Sequence, residues 1–169
     1  MIDLLQFPAP LEARAGIFEV RRAAEGDLGA ILRLLRDDAV AAARDGAVTP
    51  ATDERAREAF AAVLEDSRND LVVATDAAGA VVATLQLTTI PGLARGGALR
   101  LQVEAVRVDG SLRSAGLGSA LMRWVMDVAA PAVGAGLVQL TSDAARPEAH
   151  RFYLRLGFTD SHVGFKYRP

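Results

Sequence analysis

The sequence contains no cysteine, which excludes disulfides, a thiolate nucleophile and cysteine-ligated zinc. Its histidines are His150 and His162 alone, too few for a histidine-rich metal site, and no metal is expected. Lysine is nearly missing as well: Lys166 is the single lysine among 19 basic residues, and the others are arginine. The 19 basic and 21 acidic side chains leave a formal net charge of −2 and are scattered along the whole chain. No basic face that could neutralise a phosphate backbone is implied, so nucleic acid is not an expected partner. No stretch reaches the roughly 20 apolar residues that cross a bilayer. The opening MIDLLQFPAPLEA carries Asp3 where a secretory leader carries positive charge, and Gln6, Pro8 and Pro10 interrupt its apolar run. A soluble cytoplasmic protein with no membrane partner is the expectation.

What the chain does have is apolar matter, 51% of 169 residues, sufficient for one core in one domain. Residues 1–15 read as an N-terminal extension and residues 16–169 as the domain. GIFEVRRA, from Gly16 to Ala23, alternates as a first strand. Asp27 offers a cap to a helix from Leu28 to Arg44, whose stripe is Leu28, Ile31, Leu32, Leu35 and Ala39. A break at Gly46 to Pro50 precedes a second helix over Asp53 to Asp66. LVVAT and AVVATLQLTT, rich in Val, Leu and Thr, flank Asp76-Ala77-Ala78-Gly79 and read as a hairpin. LRLQVEAVRV, from Leu99 to Val108, is the longest strand. The period then becomes helical from near Gly116 to the break near Pro131. A short strand, Leu137 to Thr141, leads to a helix opened by Pro147, with the stripe Ala149, Phe152, Tyr153 and Leu156 and a left-handed cap at Gly157. DSHVGFKYR closes with one more strand. The order β-α-α-β-β-β-α-β-α-β gives an α/β domain, a mixed and mostly antiparallel sheet flanked by helices.

The stretch Arg113-Ser114-Ala115-Gly116-Leu117-Gly118-Ser119 joins the long strand to its helix. Exposed amides at the positive end of a helix dipole make a site for a pyrophosphate, glycine admits the oxygens close to the main chain, and Arg113 adds a charged donor. Simple turn chemistry is an alternative reading. A nucleotide P-loop fails because no Gly-Lys-Ser/Thr follows. A dinucleotide-binding turn finds some support in Asp143 at the end of the next strand. Against it, the glycines begin well after Val108, and the third glycine position is Leu121.

Arg113-x-x-Gly116-x-Gly118 after the strand VEAVRV resembles the coenzyme A pyrophosphate loop of GCN5-related (GNAT) N-acyltransferases. AHRFYLRLGF, from Ala149 to Phe158, resembles their second signature, and the element order agrees from about Gly16 onward. The C-terminal part is similar to aminoalkylphosphonate acetyltransferases. The resemblance implies transfer of an acetyl group from acetyl-CoA to the primary amine of a small molecule. It implies that the main chain of Val106 and Val108 pairs with the pantetheine arm, and that the amides of Ser114, Ala115, Gly116, Leu117, Gly118 and Ser119 hold the pyrophosphate. The thioester would lie in a splay between the strands at Val106 and Leu140, with the amide of Val106 facing the oxyanion. Where many relatives have Asn, this chain reads Thr141-Ser142-Asp143. Asp cannot donate a hydrogen bond, so Ser142 is the candidate contact.

By the same resemblance Tyr153 faces the coenzyme sulfur as the acid. A phenol near pKa ~10 against a thiol near ~8.5 makes full proton transfer uphill by roughly 2 kcal/mol, so hydrogen bonding to the developing thiolate is its main contribution. The alternative is a core aromatic on the helix stripe. Glu104 is the candidate base. Strict alternation puts Gln102, Glu104, Val106 and Val108 on one face of the strand, and two polar side chains in a central strand suggest a lined, partly burying cleft. An ordinary half-exposed strand explains them too. Proton transfer to a carboxylate near ~4.3 from an ammonium near ~10 calls for water or an already neutral amine. His150 and Arg151 read as helix-surface residues, and Arg95 and Arg100 as possible holders of an anionic group. A non-catalytic acyl-CoA sensor of the same fold, and a homodimer formed through C-terminal strands, complete the expectations.

Overall fold

The computed structural model describes residues 2–37 and 49–167. Six strands lie side by side in chain order: β1 (Ala9–Ala13), β2 (Gly16–Arg22), β3 (Asn69–Thr75), β4 (Val81–Ile90), β5 (Arg100–Val108) and β6 (Leu137–Leu140). Every neighbouring pair is antiparallel except β5 and β6, which run parallel. This is the mixed, mostly antiparallel α/β sheet expected from the pattern.

The first fifteen residues, set apart in sequence as an extension, supply β1. Leu11 on β1 and Ile2 and Leu5 before it are buried, and each buried side chain of this size contributes roughly 1.5–3 kcal/mol. The prolines at 8 and 10 are tolerated because β1 is an edge strand. The expected closing strand, by contrast, does not form. Residues 159–167 take no helical or strand conformation, and Val163, Phe165 and Tyr167 are exposed. Their alternation is strand-like, but a strand also needs a hydrogen-bonding neighbour, and this segment pairs with none of the described strands.

Helix α1 (Leu28–Arg36) and helix α2 (Pro50–Glu65) cover one face of the sheet. Ile31, Leu34 and Phe60 pack there on Leu71, Val73 and Val81. The expected continuation of the first helix to Arg44 falls on residues 38–44, outside the described ones. Thr49 caps α2 by accepting from the Thr52 amide at 3.2 Å, while the Thr52 hydroxyl accepts from the Thr49 amide at 2.8 Å. The opposite face is covered by α3 (Leu117–Trp124), which passes through a π turn over Val125–Ala129 into Ala130–Ala132. Leu117, Leu121 and Met122 meet Leu85, Leu87, Leu101 and Val103 in the larger core cluster. Last comes α4 (Pro147–Arg155), with Pro147 in its first turn and Gly157 beyond its end at φ 93°.

One irregularity governs the site. Gln86 pairs with Glu104 but Thr84 pairs with Arg107, so Ala105 and Val106 together oppose Leu85. Ala105 takes a left-handed φ of 53° to make this β-bulge. The extra residue reverses the alternation of everything after it. Val106 and Val108 therefore pack against the same cluster as Leu101 and Val103, not beside Glu104 as strict alternation predicts. Register puts Glu104 with Gln102 and Arg107 on the other face.

Candidate active site

The parallel pairing of β5 with β6 ends at Val103 opposite Leu140. Beyond that rung β6 ends, and Val106 and Val108 have no described strand partner on the β6 side. The carbonyl of Val106 accepts a 2.8 Å hydrogen bond from Nη1 of Arg107, so a ligand pairing with that carbonyl displaces a guanidinium.

The glycine loop lies at the C-terminal end of β5. Ser114 and Gly116 have φ of 61° and 89°, two left-handed residues that turn the chain into α3. The amides of Gly116, Leu117, Gly118 and Ser119 find no backbone acceptor among the described residues, as befits a first helical turn open to an anion. A side chain at Gly118 would have its first carbon 3.6 Å from Val108 and 3.7 Å from Phe152. Gly118 thus ties the loop to both β5 and α4. Arg113 reaches back to α1, donating to the Asp37 carboxylate at 2.7 Å and to the Asp37 carbonyl at 2.7 Å.

Sequence reading missed the support of this loop. Arg14, in the turn between β1 and β2, donates to the Ser114 carbonyl oxygen, and the Ala15 amide donates to the Ala115 oxygen at 3.2 Å. Position 116 faces Arg14 so closely that an added carbon would lie 3.3 Å from the Arg14 nitrogen. Nothing in the local pattern of residues 1–15 marks this contact, because it depends on how a hairpin far off in sequence is placed.

Tyr153 is half-buried on α4, its ring edge-on to Phe152 at 5.1 Å and to Phe158 at 5.8 Å. Like Val106, Val108 and Leu140, it packs on the edge of the larger core cluster. Burial raises its pKa above the ordinary phenol value, with Arg107 and Arg146 pulling the other way. Glu104 comes from the opposite face of β5 and is exposed, so the partial burial expected for it is not found. The two candidate groups flank the bulge from different sides of the sheet.

Ser142 is half-buried in the loop after β6. Its neighbour Asp143 braces that loop locally. The Asp143 carboxylate accepts from the Ala145 amide at 2.9 Å, and its carbonyl oxygen lies 2.8 Å from Nε2 of His150. His150 thereby fastens α4 to the loop, and Arg151 makes a 3.5 Å surface pair with Glu148. Arg95 is exposed, in a short turn where its own φ is 56°. Arg100, at the start of β5, is half-buried. Among the described residues no cluster of three or more His, Asp or Glu could hold a metal, and no helix is long and apolar enough to cross a membrane.

A mixed sheet whose one parallel pairing stops at Val103 and Leu140, beside a glycine loop at the start of a helix and with helices on both faces, is an acyltransferase-type arrangement. The profile of the Acetyltransferase (GNAT) family matches residues 30–158, and the chain belongs to that family. A solved structure of a transcriptional regulator from Bacillus halodurans is 36% identical, with a TM-score of 0.82 over 89% of this chain and 99% of that one. An acetyltransferase from Trypanosoma brucei is 25% identical, with a TM-score of 0.68 over 90% and 99% of the two chains. The aminoalkylphosphonate N-acetyltransferase of Salmonella typhimurium is 38% identical over 64 residues. That stretch is 38% of this chain and 41% of the relative, so it spans less than half of either.

Proposed function

We propose that the protein transfers an acetyl group from acetyl-CoA to the primary amine of a small molecule by direct attack. The observation that carries this reading is the end of the β5–β6 pairing at Val103 and Leu140, beside open amides at Gly116 to Ser119, with Tyr153 on the edge of the same core cluster as Val106 and Val108. An extended pantetheine arm would pair with the main chain of Val106 and Val108, sharing the Val106 carbonyl with Arg107 or displacing it. The loop amides of Ser114 and of Gly116 to Ser119, with Arg113, suit the pyrophosphate, whereas the Ala115 amide already donates to the Leu112 carbonyl at 3.2 Å, and Ser142 would supply a further contact.

In the reaction the amine nitrogen bonds to the thioester carbon, the carbon–sulfur bond breaks, and the amine loses a proton. Glu104 takes that proton through water, consistent with its exposure. The amide of Val106 is the oxyanion donor in this scheme. Tyr153 faces the leaving sulfur. Burial raises its pKa, which widens the gap to a thiol near ~8.5. Its role is therefore to hydrogen-bond the growing thiolate and then to exchange its proton late. The small-molecule acceptor draws support from the name of the Salmonella relative. Localisation in the cytoplasm and a homodimer belong to the same reading. For the dimer, the outer edge of β6 pairs with no described strand, and Val163, Phe165 and Tyr167 alternate exposed in the tail, as a strand added to a second copy would. A monomeric mass in light scattering would reject it.

A second reading is a non-catalytic acyl-CoA sensor, favoured by the Bacillus halodurans neighbour being a transcriptional regulator. Calorimetry with acetyl-CoA, followed by thiol release with a panel of amines in wild type and Tyr153→Phe, separates the two. Binding with Tyr153-dependent release supports the enzyme, binding without release for any amine supports the sensor, and absence of binding overturns both.

A further inference from the structure

The sheet face that carries Glu104 changes character across its width. Beneath α1 and α2 it is apolar, with Leu71 and Val73 buried. From there toward β6 it becomes polar. Register aligns Asn69, Thr88, Gln102 and Gln139 in one rung across four neighbouring strands, and all four are half-buried. The adjacent rung sets Gln86 opposite Glu104, about 7 Å away along the strand.

These side chains hold one another in place. Asn69 accepts from Gln86 at 2.9 Å and from Thr88 at 2.6 Å, which fills its carbonyl oxygen, and its own amide donates one hydrogen to Asp66 at 2.8 Å. Gln139 donates to Gln102 at 2.7 Å. What is left over faces outward. Nε2 of Gln102 and Oε1 of both Gln86 and Gln139 have no protein partner among the described residues. A merely solvated sheet face needs no such fixing, since its polar groups turn to water, and side-chain pairs linked across strands are a minority of protein hydrogen bonds.

We propose that this rung is the recognition floor for the acceptor. The acceptor it fits is a primary amine whose chain carries neutral groups that both donate and accept hydrogen bonds, hydroxyls or amides. The inference rests on the acetyl-transfer reading above for what happens to the amine. A hydroxyl satisfies the free donor of Gln102 and a neighbouring amide oxygen at once. An alkyl chain leaves both desolvated and unpaired. An ionised carboxylate cannot donate to the oxygens of Gln86 and Gln139. It would instead favour Arg100, one rung away on the same face, which makes an anionic amine the competing outcome.

Three amines decide the matter: glucosamine, aminoethylphosphonate and hexylamine. The side-chain amide signals of Gln102 and Gln139 are followed by NMR during titration, with the Gln102 signal assigned by its loss in Gln102→Glu. Glucosamine is expected to shift both signals and the other two amines to leave them in place. In steady-state kinetics, Gln102→Glu and Gln102→Leu are expected to lower kcat/KM for glucosamine about 5- to 10-fold, to change it less than about 2-fold for hexylamine, and to leave the KM for acetyl-CoA unaltered. Gln102→Glu keeps the shape of the side chain, so a folding failure of the leucine variant does not blunt the test. Shifts caused equally by aminoethylphosphonate or hexylamine, or an equal loss of rate with all three amines, would overturn the proposal. If acetyl-CoA fails to bind, the transfer reading falls, and the amide signals still decide the rung.

Discussion

Arg14 and Ser114 lie 100 residues apart in sequence, and the guanidinium of the first donates to the carbonyl oxygen of the second. The left-handed residue at the centre of the candidate pyrophosphate loop is thus held from outside by the hairpin of β1 and β2. Arg14→Ala removes that support without touching the loop itself. The expected outcome is a several-fold rise in the Kd for acetyl-CoA, with thermal stability lowered by about 1 kcal/mol or less, as for an exposed hydrogen bond. Calorimetry and a melting curve read the two effects separately. Unchanged affinity would mean the loop holds its shape alone.

The glycines at 116 and 118 stand in different surroundings, and alanine distinguishes them. Gly116 stands at φ 89° against Arg14, so Gly116→Ala strains the backbone and is expected to cost about 1–2 kcal/mol in chemical denaturation. At Gly118 an added carbon meets its neighbours at ordinary contact distances of 3.6 and 3.7 Å. Gly118→Ala is expected to fold normally, with stability nearly unchanged, because the new methyl group points at Val108 and Phe152 without crowding them. Equal destabilisation by both substitutions would refute this division.

Arg113 is engaged by Asp37, which an incoming phosphate must share or displace. Asp37→Ala is expected to tighten acetyl-CoA binding a few-fold at low salt and to lose that advantage in about 1 M salt, where exposed charges are screened. A weaker complex at low salt would show that Asp37 positions Arg113 for the ligand instead of competing for it.

Tyr153→Phe keeps the aromatic packing on Phe152 and Phe158 and removes only the hydroxyl. A fall in kcat of about 10²- to 10³-fold, with acetyl-CoA affinity nearly constant, is the expected result. Because burial raises the Tyr153 pKa, the hydroxyl stays protonated through neutral pH, and the rate is expected to fall only above pH ~10. An alkaline limb starting near neutrality in the wild type, and absent from Tyr153→Phe, would contradict that assignment.

Much of this was legible along the chain. The helices that cover the two faces follow from spacing and period, which are local properties; the Arg113 to Ser119 loop and the Phe152-Tyr153 pair stand out through their resemblance to two family motifs, since spacing alone also reads them as a turn and a core aromatic. The face of Glu104 was not legible. Alternation assumes one residue per pleat, and the pattern VEAVRV reads the same whether or not Ala105 adopts a left-handed bulge. The closing segment failed for another reason: its alternation is real, but strand formation depends on a neighbour that sequence period does not supply. Residues 1–15 were underestimated because two prolines and a short apolar run look like a tail until an edge strand gives them a place.

A further expectation concerns pH and stability. Arg21 donates twice to Asp27, at 2.6 and 2.9 Å, and the Ala24 amide donates at 2.7 Å. The hydrogen bond from Arg21, first among the causes, holds the Asp27 carboxyl below its ordinary pKa. A depressed carboxyl contributes stability that is fully present above the unfolded value near ~3.9 and is lost as pH falls through the lower folded value. Asp27→Asn is expected to cost about 1–2 kcal/mol at neutral pH and to flatten the acid limb of the stability curve below pH ~4. Denaturation at several pH values checks both, and parallel acid limbs for the two proteins would disprove the linkage.

The bulge at Ala105 makes β5 two half-strands that are out of phase by one residue. Information at this seam is carried by chain length as well as by side-chain identity: Ala105 takes the extra position opposite Leu85, so its deletion would leave an unbulged strand in which Val106 and Val108 still face the core and Glu104 and Arg107 the other side. Loops elsewhere in the molecule can drift in length without changing which residues face inward. Between Gln102 and Val108, a single codon lost decides whether one residue or two stand opposite Leu85, and so whether the strand carries its kink at all.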